Sequence, residues 1–343
     1  MDPSALRALL DHALDSRSDR LDAVHTSAAR LFNGFFEGWP QLAIDLYGTT
    51  VVVHDHGPTA APAHDDVAAS EASLAVIEPW VREALPWVTA MWVKRRRSPV
   101  QAERNGIARF GVARCRKIRE RGTWYALDLT LNRDASLYLD TRALRAWLEA
   151  NVAGQRVLNT FAYTGSLGVA ARAAPAQRVI QTDLNRAFLN VAKVSYGLNG
   201  WPVARADFRA GDFFDVASTL KKQGALFDCA LVDPPFFSST LRGTVDLQAE
   251  LGRLLNKVRP LVGDGGRLVV VNNALFVSGA AYLKDLEALG AGGYLEVEAL
   301  IPVDPDCAPP GSRAPLPADP APFNHPTKIA VLRVKRKDGR KAR

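Results

Sequence analysis

Gly165, Asp183, Asp212 and Asp233 each follow a stretch that reads as a buried strand, and three of the four are carboxylates. Carboxylates at the ends of parallel strands present acceptors to one crevice, the place where open α/β sheets bind ligands. Asp183 lies 18 residues beyond Gly165, a spacing that suits a carboxylate accepting hydrogen bonds from a ribose. Its other reading is a cap for the helix that follows. Asp212 has two readings of equal weight, an acceptor for an adenine amino group or a helix N-cap before Phe213. Asp233-Pro234-Pro235-Phe236-Phe237 is the most informative motif. Two prolines stiffen the turn, so the Asp233 side chain and nearby carbonyls are held as acceptors. Phe236 or Phe237 can then stack on a flat ring, a contact worth about 1–3 kcal/mol per base. Alone, the motif reads as a plain turn. As the last of this series it makes Asp233, Pro234, Pro235 and Phe236 the catalytic candidates.

Strands and helices must position these groups. Residues 156–161 read as a short buried strand, Ala162-Tyr163-Thr164-Gly165 as a tight turn, and residues 166–174 as a helix rich in Ala, Leu and Val. A strand running through a glycine turn into a helix N-terminus is how α/β folds build a cofactor crevice. One turn glycine without a G-x-G-x-x-G favours S-adenosylmethionine over a dinucleotide. Phe161 and Tyr163 are either core or lining, with Tyr163 the better lining candidate because it sits in the turn. From residue 134 strands alternate with helices: strands over 178–182, 203–209, 227–232, 267–271, 294–301 and 328–334, helices over 185–198, 245–261 and 280–289. That alternation implies a doubly wound, mostly parallel sheet of seven strands. Residues 302–322 form a proline-rich insertion, and 335–343 a basic tail.

Before residue 134 the pattern is mixed. Residues 1–24 hold an amphipathic helix with Leu6, Leu9, Leu10 and Leu14 on one side. Residues 25–133 read as a small α+β domain: a strand pair over 29–53, a Pro/Ala loop over 57–66, a helix over 71–85, a strand over 88–93, then strands over 110–118 and 123–131 joined at Arg121-Gly122.

Composition narrows the function. The 343 residues are 48% hydrophobic and 23% charged, with no apolar run of membrane-spanning length and no secretion signal, so a cytoplasmic protein without a membrane partner is expected. Cys115, Cys229 and Cys307 are too far apart for a disulfide framework or a zinc spacing. The six histidines are scattered, with His54 and His56 expected to be exposed beside a turn, so no metal site is indicated. The net charge is +7, yet residues 94–121 carry eleven Lys or Arg against two Glu, leaving −2 for the rest of the chain. A second basic run closes the C-terminus. Two such runs favour a polyanion, most simply nucleic acid, with Lys94, Arg95, Arg96 and Arg97 as RNA-binding candidates.

The chain resembles the bacterial large-subunit ribosomal RNA methyltransferases that include the cytosine-C5 and guanine-N7 enzymes. The resemblance covers most of the chain. It rests on Val157-Leu158-Asn159-Thr160-Phe161-Ala162-Tyr163-Thr164-Gly165-Ser166, on Asp233-Pro234-Pro235-Phe236-Phe237 and on Leu137-Tyr138-Leu139-Asp140-Thr141-Arg142. Gly38-Trp39-Pro40, Asp45-Leu46-Tyr47-Gly48 and Trp92-Val93-Lys94-Arg95-Arg96-Arg97 are similar to the family's central domain. The resemblance implies a class I methyltransferase fold with a Rossmann-like seven-stranded sheet. It further implies that Phe161, Tyr163, Thr164, Gly165, Asp183, Asp212, Asp233 and Arg142 bind S-adenosylmethionine or line the transfer site. The family's N-terminal module of the pseudouridine-synthase-associated type is expected to be missing or reduced to residues 1–24.

Where the cytosine-C5 members carry a cysteine, this chain reads Val271-Asn272-Asn273-Ala274. C5 of cytosine is a poor nucleophile until a thiolate adds at C6, so that chemistry needs a cysteine in the site. The Asn pair instead resembles the guanine-N7 branch, whose target nitrogen already has a free lone pair. The expectation is an S-adenosylmethionine-dependent methyltransferase, a monomer, acting on a base nitrogen of ribosomal or other structured RNA. The rivals are an amino-group methyltransferase acting on another RNA base, a protein or a small molecule, and a non-catalytic RNA-binding assembly factor.

Overall fold

The computed structural model describes residues 3–57, 63–240, 243–246, 251–308 and 326–342. They form two compact units: one runs to Leu139 and includes the 3-10 turn Pro305–Cys307, the other starts at Asp140 and includes the C-terminal strand.

The first unit comprises α1 (Pro3–Asp15), β1 (Ala28–Phe32), β2 (Leu42–Tyr47), β3 (Thr50–Asp55), α2 (Ala63–Ala84), β4 (Ala90–Arg95), α3 (Gln101–Asn105) and β5 (Ile107–Phe110). The five strands pair in chain order, and β3 and β4 run parallel because α2 crosses between them. Leu6, Leu10 and Ala13 of α1 join Leu74, Ile77 and Trp80 of α2 over Ile44, Val51, Val53 and Met91. The N-terminal helix is therefore part of this unit's core rather than a segment of its own. It ends at Asp15, where Arg17 Nη1 donates to the Ala13 carbonyl at 3.1 Å. The Pro/Ala loop is shorter than expected, since α2 already starts at Ala63; residues 58–62 lie outside the described residues. The strand expected over 110–118 is split. Phe110 ends β5, and β6 (Lys117–Glu120) pairs with β7 (Thr123–Ala126) in a hairpin turning at Arg121-Gly122.

Two expectations in this unit, the roles of Lys94 and His54, are corrected. Lys94 is buried, and its Nζ donates to the carbonyls of Asn105, Asn132 and Asp134 at 2.7, 2.8 and 3.1 Å. Alternation along β4 explains this: Met91 and Val93 face the helices, which sends Lys94 to the opposite face, under residues 105 and 132–134. Burial draws its pKa down to about 7, against the pull of Asp134. Lys94 is thus a brace and not a phosphate ligand. Arg95 pairs with Glu71 and lies 3.9 Å from Glu103, while Arg96 meets Asp134 at 2.8 Å, so internal carboxylates engage both; Arg97 is exposed. His54 is buried rather than exposed, 3.3 Å from Asp45, which Arg30 also grips.

The second unit is the expected doubly wound sheet. Its strands are β8 (Arg156–Thr160), β9 (Arg178–Asp183), β10 (Phe208–Ala210), β11 (Phe227–Val232), β14 (Val262–Asn272), β15 (Leu295–Ile301) and β16 (Lys328–Val334). They lie in the order β10-β9-β8-β11-β14-β16-β15, parallel except for β16. Both faces are covered. Cys229 and Leu231 of β11 and Val269 and Val271 of β14 pack with α4 (Arg142–Asn151) and α5 (Ser166–Ala173). Ala230 and Val232, with Leu268 and Val270, pack instead with α7 (Phe213–Lys222), α8 (Leu251–Val258) and α9 (Gly279–Gly290). This two-sided burial is why the strands read as continuous apolar runs. α6 (Arg186–Leu198) links β9 to β10.

The helix expected over 245–261 is wrong at its start. A hairpin of β12 (Phe237–Thr240) and β13 (Gly243–Asp246) comes first, and the helix runs only over α8; residues 247–250 lie outside the described residues. Of the proline-rich insertion, residues 309–322 also lie outside them. Its first part forms the turn Pro305–Cys307, whose buried Asp306 accepts from the Arg30 amide at 3.1 Å in the first unit.

Replacing Lys94 by Met leaves three carbonyls without their shared donor. The first unit should lose about 1–3 kcal/mol, read from the midpoint of chemical denaturation. Arg97→Ala, at an exposed side chain, should stay within about 0.5 kcal/mol. Equal effects would contradict the bracing role.

Candidate active site

The carboxyl ends of β8, β9, β10, β11 and β14 form one edge of the sheet, and most of the residues singled out by sequence stand on it. β8 ends at Thr160, whose hydroxyl donates to the Leu231 carbonyl at 2.6 Å and so locks β8 against β11. The chain then turns through three left-handed residues, Phe161 at φ 53°, Tyr163 at 50° and Gly165 at 80°. Non-glycine residues rarely take this conformation, and such strain collects at functional sites. Side chains hold it in place: Phe161 stacks on Phe213 at 4.5 Å between centroids, and Tyr163 meets Phe188 edge-on at 4.7 Å. Gly165 admits no substitute, because a Cβ there would lie 2.4 Å from Ala192 Cβ and 2.6 Å from Gln181 Oε1. Thr164 is buried under the turn.

Asp183 ties three loops together. One carboxylate oxygen accepts from the Tyr163 amide at 2.7 Å and the other from the Asn185 amide at 2.8 Å, while its own carbonyl accepts from Gly211 at 2.9 Å. Burial raises its pKa, and the two amides oppose that. The helix cap expected as its alternative role belongs to Asn185, whose side chain accepts from the Ala187 amide. Asp212 does cap α7, accepting from Phe214 at 2.8 Å. Leu184, directly after Asp183, is 62% exposed at this edge; sequence reading passed over it because an apolar residue after a strand reads as core.

Asp233 follows β11 and is half-buried, Pro234 is buried, and Phe236 and Phe237 are 41% and 60% exposed. Burial, and secondarily the nearby charge of Asp140, push the Asp233 carboxyl up to about 7. Asp140 is itself held by the Thr327 hydroxyl. The resemblance associates the segment that holds Asp140 with the cofactor site, but nothing local could reveal the nearness of Asp140 to Asp233. Arg142 begins α4 with its guanidinium 3.7 Å from Asp304.

Next to β11, Asn272 is buried at the end of β14 and accepts from the Ala274 amide at 2.9 Å. Lys328, also buried, donates to the carbonyls of Ala274 and Val277, each at 2.7 Å. These bonds fix a loop that carries exposed Leu275 and Phe276. Cys229 points away into the α4–α5 face, and burial drives its thiol up to about 12. Among the described residues, no group of His, Cys, Asp or Glu is arranged to hold a metal ion, and no helix is long and apolar enough to cross a membrane.

The acceptor set suits a nucleoside that carries an amino acid. Asp183 and Asp233 present carboxylate oxygens on this edge, and Leu184 presents exposed apolar surface beside them. The strained turn 161–165 lets backbone approach closely.

Residues 110–312 match the family model described as S-adenosylmethionine-dependent methyltransferase. The chain is 33% identical over 190 residues to the ribosomal RNA large subunit methyltransferase K/L of Shewanella amazonensis, covering 54% of this chain and 26% of that protein. To the protein of the same name from Shewanella frigidimarina it is 29% identical over 258 residues, 74% of this chain and 34% of that one. The chain thus spans about a third of the length of these relatives. Among solved structures, SMU.776, a methyltransferase complexed with SAH, superposes with a TM-score of 0.82 at 19% identity, over 97% of this chain and 82% of that one. The SAM-dependent methyltransferase of Agrobacterium tumefaciens gives 0.60 at 18% identity, over 91% of each. These structures share the fold.

A carboxyl raised to about 7 in the fold favours its protonated form there. It contributes stability that is complete below pH ~4 and lost as pH rises through about 7. Asp233→Asn removes this titration. The variant should match the wild type in melting temperature near pH 4 and exceed it increasingly up to pH 8. A pH-independent difference in thermal melting would contradict the assignment.

Proposed function

The chain belongs to the S-adenosylmethionine-dependent methyltransferase family, and from that premise we propose that it methylates a base nitrogen of large-subunit ribosomal RNA, guanine N7 first. The observation that carries this reading is Asp233 at the carboxyl end of β11, half-buried and followed by two prolines and two exposed phenylalanines. When bound, S-adenosylmethionine supplies an electrophilic methyl group on a sulfonium. Asp183 and the turn 161–165 would hold the nucleoside end, with Asp212 beside them and Arg142 supporting the α4 end of the site. Phe236 and Phe237 would stack on a base splayed out of its helix.

Guanine N7 attacks through a lone pair and loses no proton, so the base becomes cationic as the bond forms. The Asp233 carboxylate, in a site that excludes much of the solvent, would stabilise that developing positive charge. Its pKa of about 7 supports a second reading. A carboxylate poised near neutrality can also take the proton that an exocyclic amine must release. Both routes need Asp233 ionised, so the rate should rise with pH through about 7. Cytosine C5 is disfavoured by the absence of a thiol on this edge among the described residues. The name carried by the relatives and the cationic excess over residues 94–121 support ribosomal RNA as the substrate class.

The test is transfer of a labelled methyl group to protein-free large-subunit ribosomal RNA, followed by digestion to nucleosides. Label should appear in 7-methylguanosine, and Asp233→Asn should lower kcat by about 10²-fold or more. Label in a methylated exocyclic amine would select the second reading. Label in 5-methylcytidine, or none in RNA, would overturn both.

A further inference from the structure

We propose that the β6–β7 hairpin, and not the basic run on β4, is the surface on which the first unit holds RNA, an inference that rests on the ribosomal RNA reading above. Along β6 exposure alternates: Lys117 and Arg119 point outward, while Ile118 and Glu120 are buried. The hairpin's one acidic side chain therefore lies on the face opposite its cations. Arg116 and Arg121, at the two ends of β6, are exposed as well. Four cationic side chains on about six residues of one edge make a field suited to a phosphate backbone.

An aromatic ring is set among them. Trp124 lies opposite Arg119 in the hairpin register, with Lys117 Nζ 4.3 Å and Arg119 Cζ 5.6 Å from its ring centroid. Cations beside an indole are the combination that holds single-stranded nucleic acid, phosphates on the charges and bases against the ring. The platform is also fixed to the unit. The Arg119 amide donates to the Thr26 carbonyl at 2.7 Å, and the Cys115 amide to Thr50 Oγ1 at 2.8 Å. The contrast with the preceding cations decides the assignment: Lys94 is buried, and Arg95, Arg96 and Arg109 are engaged by Glu71, Glu78 and Asp134. Those charges serve the fold, and the hairpin's face outward.

The experiment compares the wild type with Lys117→Glu/Arg119→Glu in methyl transfer to protein-free large-subunit ribosomal RNA and in RNA binding across a salt series. KM for RNA should rise by about tenfold or more, and the slope of log affinity against log salt should fall by about 1.5. The rate at saturating RNA and the affinity for S-adenosylmethionine should stay within about twofold, showing that the variant is folded. The charge-preserving pair Lys117→Arg/Arg119→Lys should keep the wild-type KM. An unchanged KM and salt slope in the charge-reversed protein would overturn the hairpin assignment while leaving the methyltransferase reading intact. A wild type that binds RNA through these residues but methylates none would overturn that reading and leave the surface standing.

Discussion

The second unit turns on one carboxylate. Asp183 ends β9, and its two oxygens take the amides of Tyr163 and Asn185 while its carbonyl takes that of Gly211. Three strand ends are thereby drawn to one point. The turn that leaves β8 is strained at Phe161 and Tyr163. Such a conformation persists only where its surroundings over-determine it, and the amide bond to Asp183 is one of the constraints. The same carboxylate, partly desolvated, still has lone pairs to offer a ligand.

A buried sheet edge also explains the chemistry available at Asp233. Where β11 ends, polar groups are removed from water, so Asp140 acts on Asp233 at close quarters. Ionisation there is finely balanced. The neighbouring loop, by contrast, is held rigid by the fully hydrogen-bonded pairs that Lys328 and Asn272 make with backbone. A titratable group beside a fixed frame can respond to charge that develops on a bound base without the frame having to move.

In the first unit, charge is divided by depth. Lys94 on β4 is buried and Arg95 is paired with Glu71, whereas Lys117 and Arg119 share the exposed face of β6, so one run of cations holds loops and helices together while another faces outward. Burying Lys94 is tolerable only because three carbonyls receive it. Arg95 and Arg109 share Glu71, which ties α2 to the sheet.

The strands of the sheet were legible in the sequence as continuous apolar runs, because burial on both faces leaves nothing but apolar residues between Phe227 and Val232 except Asp228 at the strand's start. The sequence also located Gly165, Asp183 and Asp233, since the end of a buried strand is where polar residues resume. The hairpin Phe237–Thr240 with Gly243–Asp246 was hidden, because pairing across a turn leaves little trace when Leu247, Leu251, Leu254 and Leu255 follow at helical spacing in the sequence. Only the tertiary structure decided what Lys94 and Asp140 do. Depth and through-space charge depend on residues far away in the chain: Lys94 is covered by residues about 40 positions on, and Asp140 meets Asp233 from 93 residues before it. Local pattern sets which residues point the same way along a strand, and packing alone sets which of those directions is inside.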